Sequence, residues 1–138
     1  MAVKILLLSR RFPPAPGGVE NQVMEIARRL HGLGHQVGVY TSDLYSDIPP
    51  QHLAGQQCLS CGGIRLRRFA AMPIPFRKTR GTSLTPTMLL ACLVDKDFPS
   101  LVHSHGLNLV TISASLLAKR QRKSKIICTT HLDPRMLG

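Results

Sequence analysis

Hydrophobic positions in the first third of the chain change period twice, and each change predicts a new element. Residues 3–8 form a mostly apolar run of branched side chains, which is typical of a buried strand. From Val19 to Leu30 the apolar residues recur every three or four positions, as in an amphipathic helix, and glycines at 32–34 suit its C-terminal cap. Residues 35–41 then predict a second strand. Such a crossover is almost always parallel and right-handed.

The same alternation of strands and helices continues to the end of the chain. The further elements are strands at 64–69, 101–105 and 125–130, a helix that starts at Pro86 with Thr85 as its N-cap and closes at Phe98-Pro99, and an amphipathic helix at 109–123. Strands that alternate with helices predict an α/β fold. We expect a Rossmann-like, mostly parallel sheet with helices on both faces.

Two segments interrupt the periodic pattern. Residues 42–63 contain prolines, glycines and a cysteine pair without a clear period, and residues 72–83 are a basic, proline-rich connector. We expect the first to be a long loop of the kind that is functional or mobile in compact domains.

Length and composition indicate a single globular domain. The 138 residues can bury a substantial core, and a hydrophobic content of 43% argues against disorder. The longest apolar run, residues 88–94, is far shorter than the roughly 20 residues that span a bilayer, and the apolar run after Lys4 is too short for a signal peptide. We therefore expect a cytoplasmic protein.

The four cysteines leave a zinc site open as a minor alternative. Cys58 and Cys61 have the spacing of half a zinc knuckle, which His52 could extend, and a redox pair is less favoured because no helix pattern starts there. Cys92 and Cys128 lie in apolar patterns, so we predict both to be small core residues.

Charge is the strongest outlier of the composition. The chain has 18 Lys+Arg against 7 Asp+Glu, a net charge of +11, with basic clusters at 65–68, 77–80 and 119–125. Nucleic acid, acidic lipid headgroups and phosphorylated metabolites are all suitable partners, and a merely solvated basic face is the alternative for each cluster.

Candidate chemistry collects where the predicted parallel strands end, which is where open α/β sheets bind ligands. Gly17 and Gly18 join the first strand to the first helix, whose free amides and dipole favour a phosphate. His105 ends the fourth strand and is the better site candidate, whereas His103 lies inside that strand and suits packing or a supporting hydrogen bond. His131 follows the fifth strand. No carboxylate or thiolate is near enough in sequence to make a convincing zinc site with the two histidines.

Three motifs together resemble the N-terminal domain of glycosyltransferase family 4. They are PPAPGGVE at residues 13–20, LHGLGHQV at 30–37 and LVHSH at 101–105. The resemblance implies the GT-B fold, in which two Rossmann-like domains face each other across a cleft, and retaining transfer of a sugar from a nucleotide-sugar donor without a metal or other cofactor.

The same resemblance implies roles for particular residues. Gly17 and Gly18 would meet the donor diphosphate, with Gly18 giving its backbone N–H, and His105 would lie against the transferred sugar as the catalytic histidine. Glu20 would face the acceptor, with Asn108 and His131 lining the same cleft. The family's usual acidic residue before the Val-His step is Ser100 here.

The resemblance covers a single domain, 1–138, so we expect the donor-binding half to be absent and the chain alone to be inactive. A truncated gene, a shortened isoform, an excised domain and one subunit of a split enzyme with a donor-domain partner chain all remain open. The basic surface further predicts an anionic or lipid-linked acceptor and peripheral contact with the acidic cytoplasmic face of a membrane.

Two other function classes compete with this hypothesis. A non-catalytic module that binds nucleic acid or another polyanion through residues 119–125 is the alternative, although 4% aromatic residues and no nucleic-acid motif weigh against it. A nicotinamide-dependent dehydrogenase is excluded, since no Gly-x-Gly-x-x-Gly follows the first strand.

Overall fold

A computed structural model of the protein describes residues 1–47, 49–55, 58–74, 83–95, 99–106, 112, 115–116 and 124–131. Ten strands and two helices are assigned within these residues. The strands are β1 (Lys4–Ser9), β2 (Gln36–Ser42), β3 (Leu44–Asp47), β4 (Pro50–His52), β5 (Cys58–Cys61), β6 (Ile64–Phe69), β7 (Met72–Pro73), β8 (Ser83–Leu84), β9 (Leu101–His105) and β10 (Lys125–Thr129), and the helices are α1 (Gly18–Gly32) and α2 (Pro86–Val94).

The main sheet has the strand order β10-β9-β1-β2-β6-β5. Its first five strands are mutually parallel, and β5 is an antiparallel edge strand paired with β6. The predicted α/β, Rossmann-like, mostly parallel sheet is confirmed, as are the two strands and the helix predicted for the first third of the chain.

The two described helices, α1 and α2, lie on opposite faces of this sheet. On one face, α1 places Val23 and Ala27, both fully buried, against Leu7 and Val39 of the central strands. On the other face, α2 packs Met88 and its neighbours against Leu6, Leu8 and Val102 of the sheet. Because β1 is apolar at every position except its ends, it can be buried between both layers.

The segment predicted as one long loop at 42–63 is instead partly strand. Within it β3 and β4 form a small antiparallel sheet, and β5 extends the main sheet. These strands are only three or four residues long and β4 is exposed throughout, so each is too short to show the alternation by which a strand is recognised in sequence.

The prediction for Cys128 was wrong, and the one for Cys92 was right. Cys92 lies on the buried face of α2, whereas Cys128 is exposed. Cys128 lies on β10, which forms the edge of the sheet, where an apolar-looking run does not guarantee burial on both faces.

Most of the helix predicted at 109–123 lies outside the described residues. Residues 112, 115 and 116 of this segment are described, and they are helical. No helix in the described part of the chain is long and apolar enough to cross a membrane.

The C-terminus of α1 is fixed by a Schellman motif. His35 N donates to Leu30 O at 3.2 Å and Gly34 N donates to His31 O at 2.9 Å, the two bonds that define this cap. Gly34 has φ of +88°, which only glycine adopts without strain. The cap turns the chain directly into β2 and thereby sets the register of β2 against β1.

We predict that Gly34→Ala destabilises the domain by about 1 kcal/mol, because an L side chain is strained at this positive φ. Gly32→Ala is the matched control. Gly32 is the last residue of α1, two positions before Gly34, and has open space at its Cβ position. This variant should be up to about 1 kcal/mol more stable than the original chain. Urea denaturation of the three proteins measures both changes. Equal stabilities of the two variants would contradict the assignment of the cap.

Candidate functional site

The site lies where β1 is paired with strands on both of its sides. The chain leaves β1 toward α1 and β2 on one side, whereas β9 lies on the other side, so connections diverge at the carboxyl end of β1. Open parallel sheets bind ligands at such a switch point. The register places Ser9 beside His105 and His105 beside Thr129, which brings the ends of three strands together.

Polar residues occupy the last row of side chains on the α1 face of the sheet. This terminal row consists of Thr129, His105, Ser9, Thr41 and Arg68, one from each parallel strand in order across the sheet. The row is buried apart from Thr129 at its edge. The preceding rows on this face are largely apolar. Burying the polar groups of the terminal row is costly unless each has a hydrogen-bond partner or a ligand.

The terminal row and β2 hold the loop that precedes α1 through its backbone carbonyls. Ser9 Oγ donates to Arg11 O at 2.6 Å, and Arg68 Nη2 donates to Pro13 O at 2.6 Å. Ser42 donates to Arg10 O through both its backbone N–H and its hydroxyl. Three successive parts of the loop are thus tied to three strand ends, so the path of the loop is set before α1 begins.

Gly17 and Gly18 place the N-terminus of α1 at this edge. Gly17 is the N-cap, with φ 154° and ψ 158°, a conformation close to glycine-only, and Asn21 N donates to its carbonyl at 3.2 Å. The two glycines differ in surroundings. A Cβ at Gly17 would lie 1.9 Å from Glu20 Oε2, whereas a Cβ at Gly18 would meet nothing within 4 Å. A ligand can therefore approach Gly18 but not the same side of Gly17.

Glu20 is a buried acid in the first turn of α1. It is 6% exposed and its Oε1 lies 2.7 Å from Arg11 Nη2, so loop and helix are joined by an ion pair. A carboxylate in the first helical turn also interacts favourably with the helix dipole. The pair fixes the carboxylate beside Gly17 and leaves Gly18 open.

Three histidines form a stack on the other side of the site. The ring centroids of His103 and His105 are 4.1 Å apart, and those of His105 and His131 are 5.7 Å apart with planes inclined by 18°. His105 Nδ1 and His131 Nε2 are 3.4 Å apart, and His103 Nε2 lies 2.7 Å from Thr129 Oγ1. The supporting hydrogen bond expected for His103 is present.

Burial keeps the central histidine neutral. Desolvation is the largest cause that lowers the pKa of His105 from 6.5 to about 4, and the positive charges that His103 and His131 can carry lower it as well. The pKa of His103 is also lowered, mainly by burial and secondarily by His131. At neutral pH His105 therefore acts as a hydrogen-bonding group rather than as a cation.

Among the described side chains, no group of three or more His, Cys, Asp or Glu is placed to hold a metal ion. The backbone of Cys58 and Cys61 forms β5, opposite Arg67 and Ile64 of β6. Asn108, the remaining acceptor-side prediction, lies outside the described residues.

A cavity of about 730 Å³ opens on the other face of the sheet, between β2, β6 and α2. Gly38, Arg65 and Cys92 are among its lining residues, and it contains neither the glycine pair nor the histidine stack. Cavity size alone therefore does not locate the chemistry of this chain.

The sequence predicts Gly18, Glu20, His105 and His131 as site residues, and the structure places them at this edge of the sheet, but the sequence does not single out Ser9, Thr41 or Arg68 of the terminal row. Arg68 follows Arg65 and Arg67 in sequence and was counted with them as a basic surface cluster, yet it is only 7% exposed. The signal was available in the period of β6, since Arg68 shares the face of the buried Ile64 and Leu66, whereas Arg65 and Arg67 alternate to the exposed face.

Comparison with known proteins assigns the family. Residues 16–136 match the family model described as Glycosyltransferase Family 4, which covers most of the chain and includes the glycine pair and the histidine stack. The chain belongs to glycosyltransferase family 4. A search of curated proteins found no match.

We predict that Gly17→Ala destabilises the domain by about 1–3 kcal/mol, because alanine is strained at this φ and its methyl group collides with the Glu20 carboxylate. Gly18→Ala is the matched control for stability, since its methyl group enters open space. Thermal and urea unfolding measure the difference. A Gly17→Ala protein as stable as Gly18→Ala would refute the described packing of Glu20 on Gly17.

Lowering the pH from about 6.5 to about 4 should reduce the stability of the folded domain. In this range the unfolded chain binds a proton at residue 105 that the folded chain, with its lowered pKa, does not bind. The loss is on the order of 2 kcal/mol. His105→Gln should show a shallower decline in urea midpoints over the same range, and an unchanged slope would show that His105 titrates normally in the folded protein.

Proposed function

We propose that this chain forms the acceptor-side half of a retaining glycosyltransferase, which moves a sugar from a nucleotide-sugar donor to an acceptor. Membership of the family supports a glycosyltransferase-like domain. The observation that carries the finer proposal is that an open glycine at a helix N-terminus and the buried, neutral His105 occupy one switch point. This combination suits a diphosphate joined to a sugar ring.

Gly18 is the proposed contact for the donor diphosphate. The first amides of α1 have no helical acceptor, and the helix dipole adds to their attraction for an anion. Glu20 covers Gly17 and is paired with Arg11, which leaves the open space at Gly18 as the approach for phosphate oxygens. Gly17 then contributes the backbone turn that aims the amides.

His105 is the proposed contact for the transferred sugar. It is 2% exposed, and its Nε2 has no hydrogen-bond partner within the described structure. A buried polar atom without a partner costs about 1–3 kcal/mol, which a hydrogen bond to a ligand recovers. Sugar hydroxyls supply such a bond to a neutral imidazole without requiring a change of charge.

Glu20 and His131 are the proposed acceptor-side residues, together with Asn108. The Glu20 carboxylate keeps an acceptor capacity beyond its bond to Arg11, because each carboxylate oxygen can accept more than one hydrogen bond. An acceptor hydroxyl bound there would lie beside the glycine turn. Orienting that hydroxyl is one of the two requirements of the transfer.

The other requirement is stabilisation of the departing nucleoside diphosphate. A single helix N-terminus supplies only part of it, so we propose that base, ribose and the remaining phosphate charge are held by a second domain, on a longer form of this chain or on a partner. The 138 residues alone should then bind donor without transferring its sugar.

Calorimetric titration of the chain with inorganic pyrophosphate and with UDP- and GDP-linked sugars tests this function. Gly18→Ala should fold normally but bind at least about 10-fold more weakly, because its methyl group occupies the approach to the amides, a loss of about 1.4 kcal/mol. Gly32→Ala, at the far end of the same helix, should bind like the original chain. His105→Gln should weaken the nucleotide sugars more than pyrophosphate.

Two outcomes would reject the proposal. Binding of neither pyrophosphate nor any nucleotide sugar, alone or with a candidate donor domain, would remove it. Steeply salt-dependent binding of an oligonucleotide that is unchanged in Gly18→Ala and His105→Gln would favour the polyanion-binding alternative.

Co-sedimentation with vesicles that contain acidic lipid, but not with neutral ones, would support an acceptor at the membrane surface, and equal co-sedimentation with both would exclude it.

A further inference from the structure

The two ring nitrogens of His105 have different surroundings. Nδ1 lies 3.4 Å from His131 Nε2, within hydrogen-bonding distance. Nε2 is fully buried and has no hydrogen-bond partner among the described residues. A neutral imidazole carries one proton, on one nitrogen or the other, so the partner of Nδ1 determines what Nε2 offers to a ligand.

The orientation of this ring is fixed by both neighbouring histidines. The ring of His103 lies at a centroid distance of 4.1 Å and is itself tied to Thr129 Oγ1 at 2.7 Å. The ring of His131 lies 5.7 Å away with its plane inclined by only 18°, and its Nε2 contacts Nδ1. His105 is also held in the register of β9 between β1 and β10. A 180° flip of the ring about the Cβ–Cγ bond would put Cδ2 in the place of Nδ1 and break the contact with His131.

We propose that His131 is a positioning residue, whose Nε2–H donates to His105 Nδ1 and thereby keeps the single proton of His105 on Nε2, as a donor to an oxygen of the bound ligand. The hydrogen bond transfers no proton, so His105 stays neutral with its single N–H at Nε2. The identity of the ligand rests on the proposed function, whereas the tautomer is a property of the chain alone.

The chemistry of the two sides favours this direction. Sugar hydroxyls and phosphate groups both offer acceptor oxygens, and an ionised phosphate oxygen can only accept, so an N–H at Nε2 matches either group. His131 is only half-buried, and its other nitrogen can be satisfied by solvent. Burial lowers the pKa of His105 to about 4, which keeps the ring in the one-proton form that a tautomer requires.

Nitrogen-15 spectra of histidine-labelled chain test the proposal directly, because the two tautomers give different Nδ1 and Nε2 shifts. The original chain at neutral pH should show His105 with its proton on Nε2, assigned by loss of the signals in His105→Gln. In His131→Leu, which cannot donate, the two shifts should move toward each other as both tautomers become populated. In His131→Gln, whose amide can still donate, the original pattern should be retained.

The ligand arm uses the same variants. His131→Leu should bind the best nucleotide sugar of the panel about 10-fold more weakly, with His131→Gln restoring most of the loss. Unfolding midpoints close to that of the original chain are expected for both, since His131 is partly exposed. A His105 proton on Nδ1 in the original chain, or unchanged spectra in His131→Leu, would overturn the inference even if nucleotide sugars bind. The predicted spectra without any nucleotide-sugar binding would instead reject the proposed function and leave the positioning role intact.

Discussion

Parallel pairing of β1 with strands on both sides is the constraint on which the rest of the structure depends. Because β2 and β9 run in the same direction as β1, the loop after β1, the N-terminus of α1 and His105 all emerge at one edge. Antiparallel pairing on either side would send one of these groups to the opposite edge. The apolar side chains of β1 favour this central position, because a strand without polar side chains between its ends is stable only when both of its faces are buried.

The same sheet edge also restrains the glycine-containing loop that precedes α1. Glycine permits the required turn but adds freedom that must be restrained. Here the restraint comes from side chains on neighbouring strands, which donate to carbonyl groups of the loop, among them Arg68 from 55 residues away. The loop is therefore shaped by the sheet, and the amides at the start of α1 can be aimed without a ligand to order them.

Pattern was sufficient to predict most of the main sheet and the two described helices, because β1 is an unbroken buried apolar run, burial alternates in β6, and α1 has apolar residues at helical spacing. It failed for β3, β4 and β5, which are too short to show a period. It also failed where topology decides burial: Cys128 looks like a core residue in sequence but lies on an edge strand. The glycine turn and His105 stand out in the sequence because one joins a predicted strand to a predicted helix and the other ends a predicted strand. The contact of Arg68 with Pro13 was not, since it joins positions that only the completed sheet brings together.

Glu20 and His105 are both buried, but their electrostatic surroundings differ because their neighbouring side chains differ. Glu20 is buried with a guanidinium 2.7 Å away, so its charge is compensated inside the protein. His105 is buried between two other histidines, so a proton on it would be opposed from both sides. An incoming anion therefore meets a helix N-terminus whose nearest carboxylate is already neutralised, beside a ring that offers hydrogen bonds without charge. If a diphosphate settles at Gly18, its negative charge opposes the effect of burial and raises the pKa of the adjacent histidine. Under the proposed function, occupancy of the glycine turn and protonation of His105 would then be coupled electrostatically.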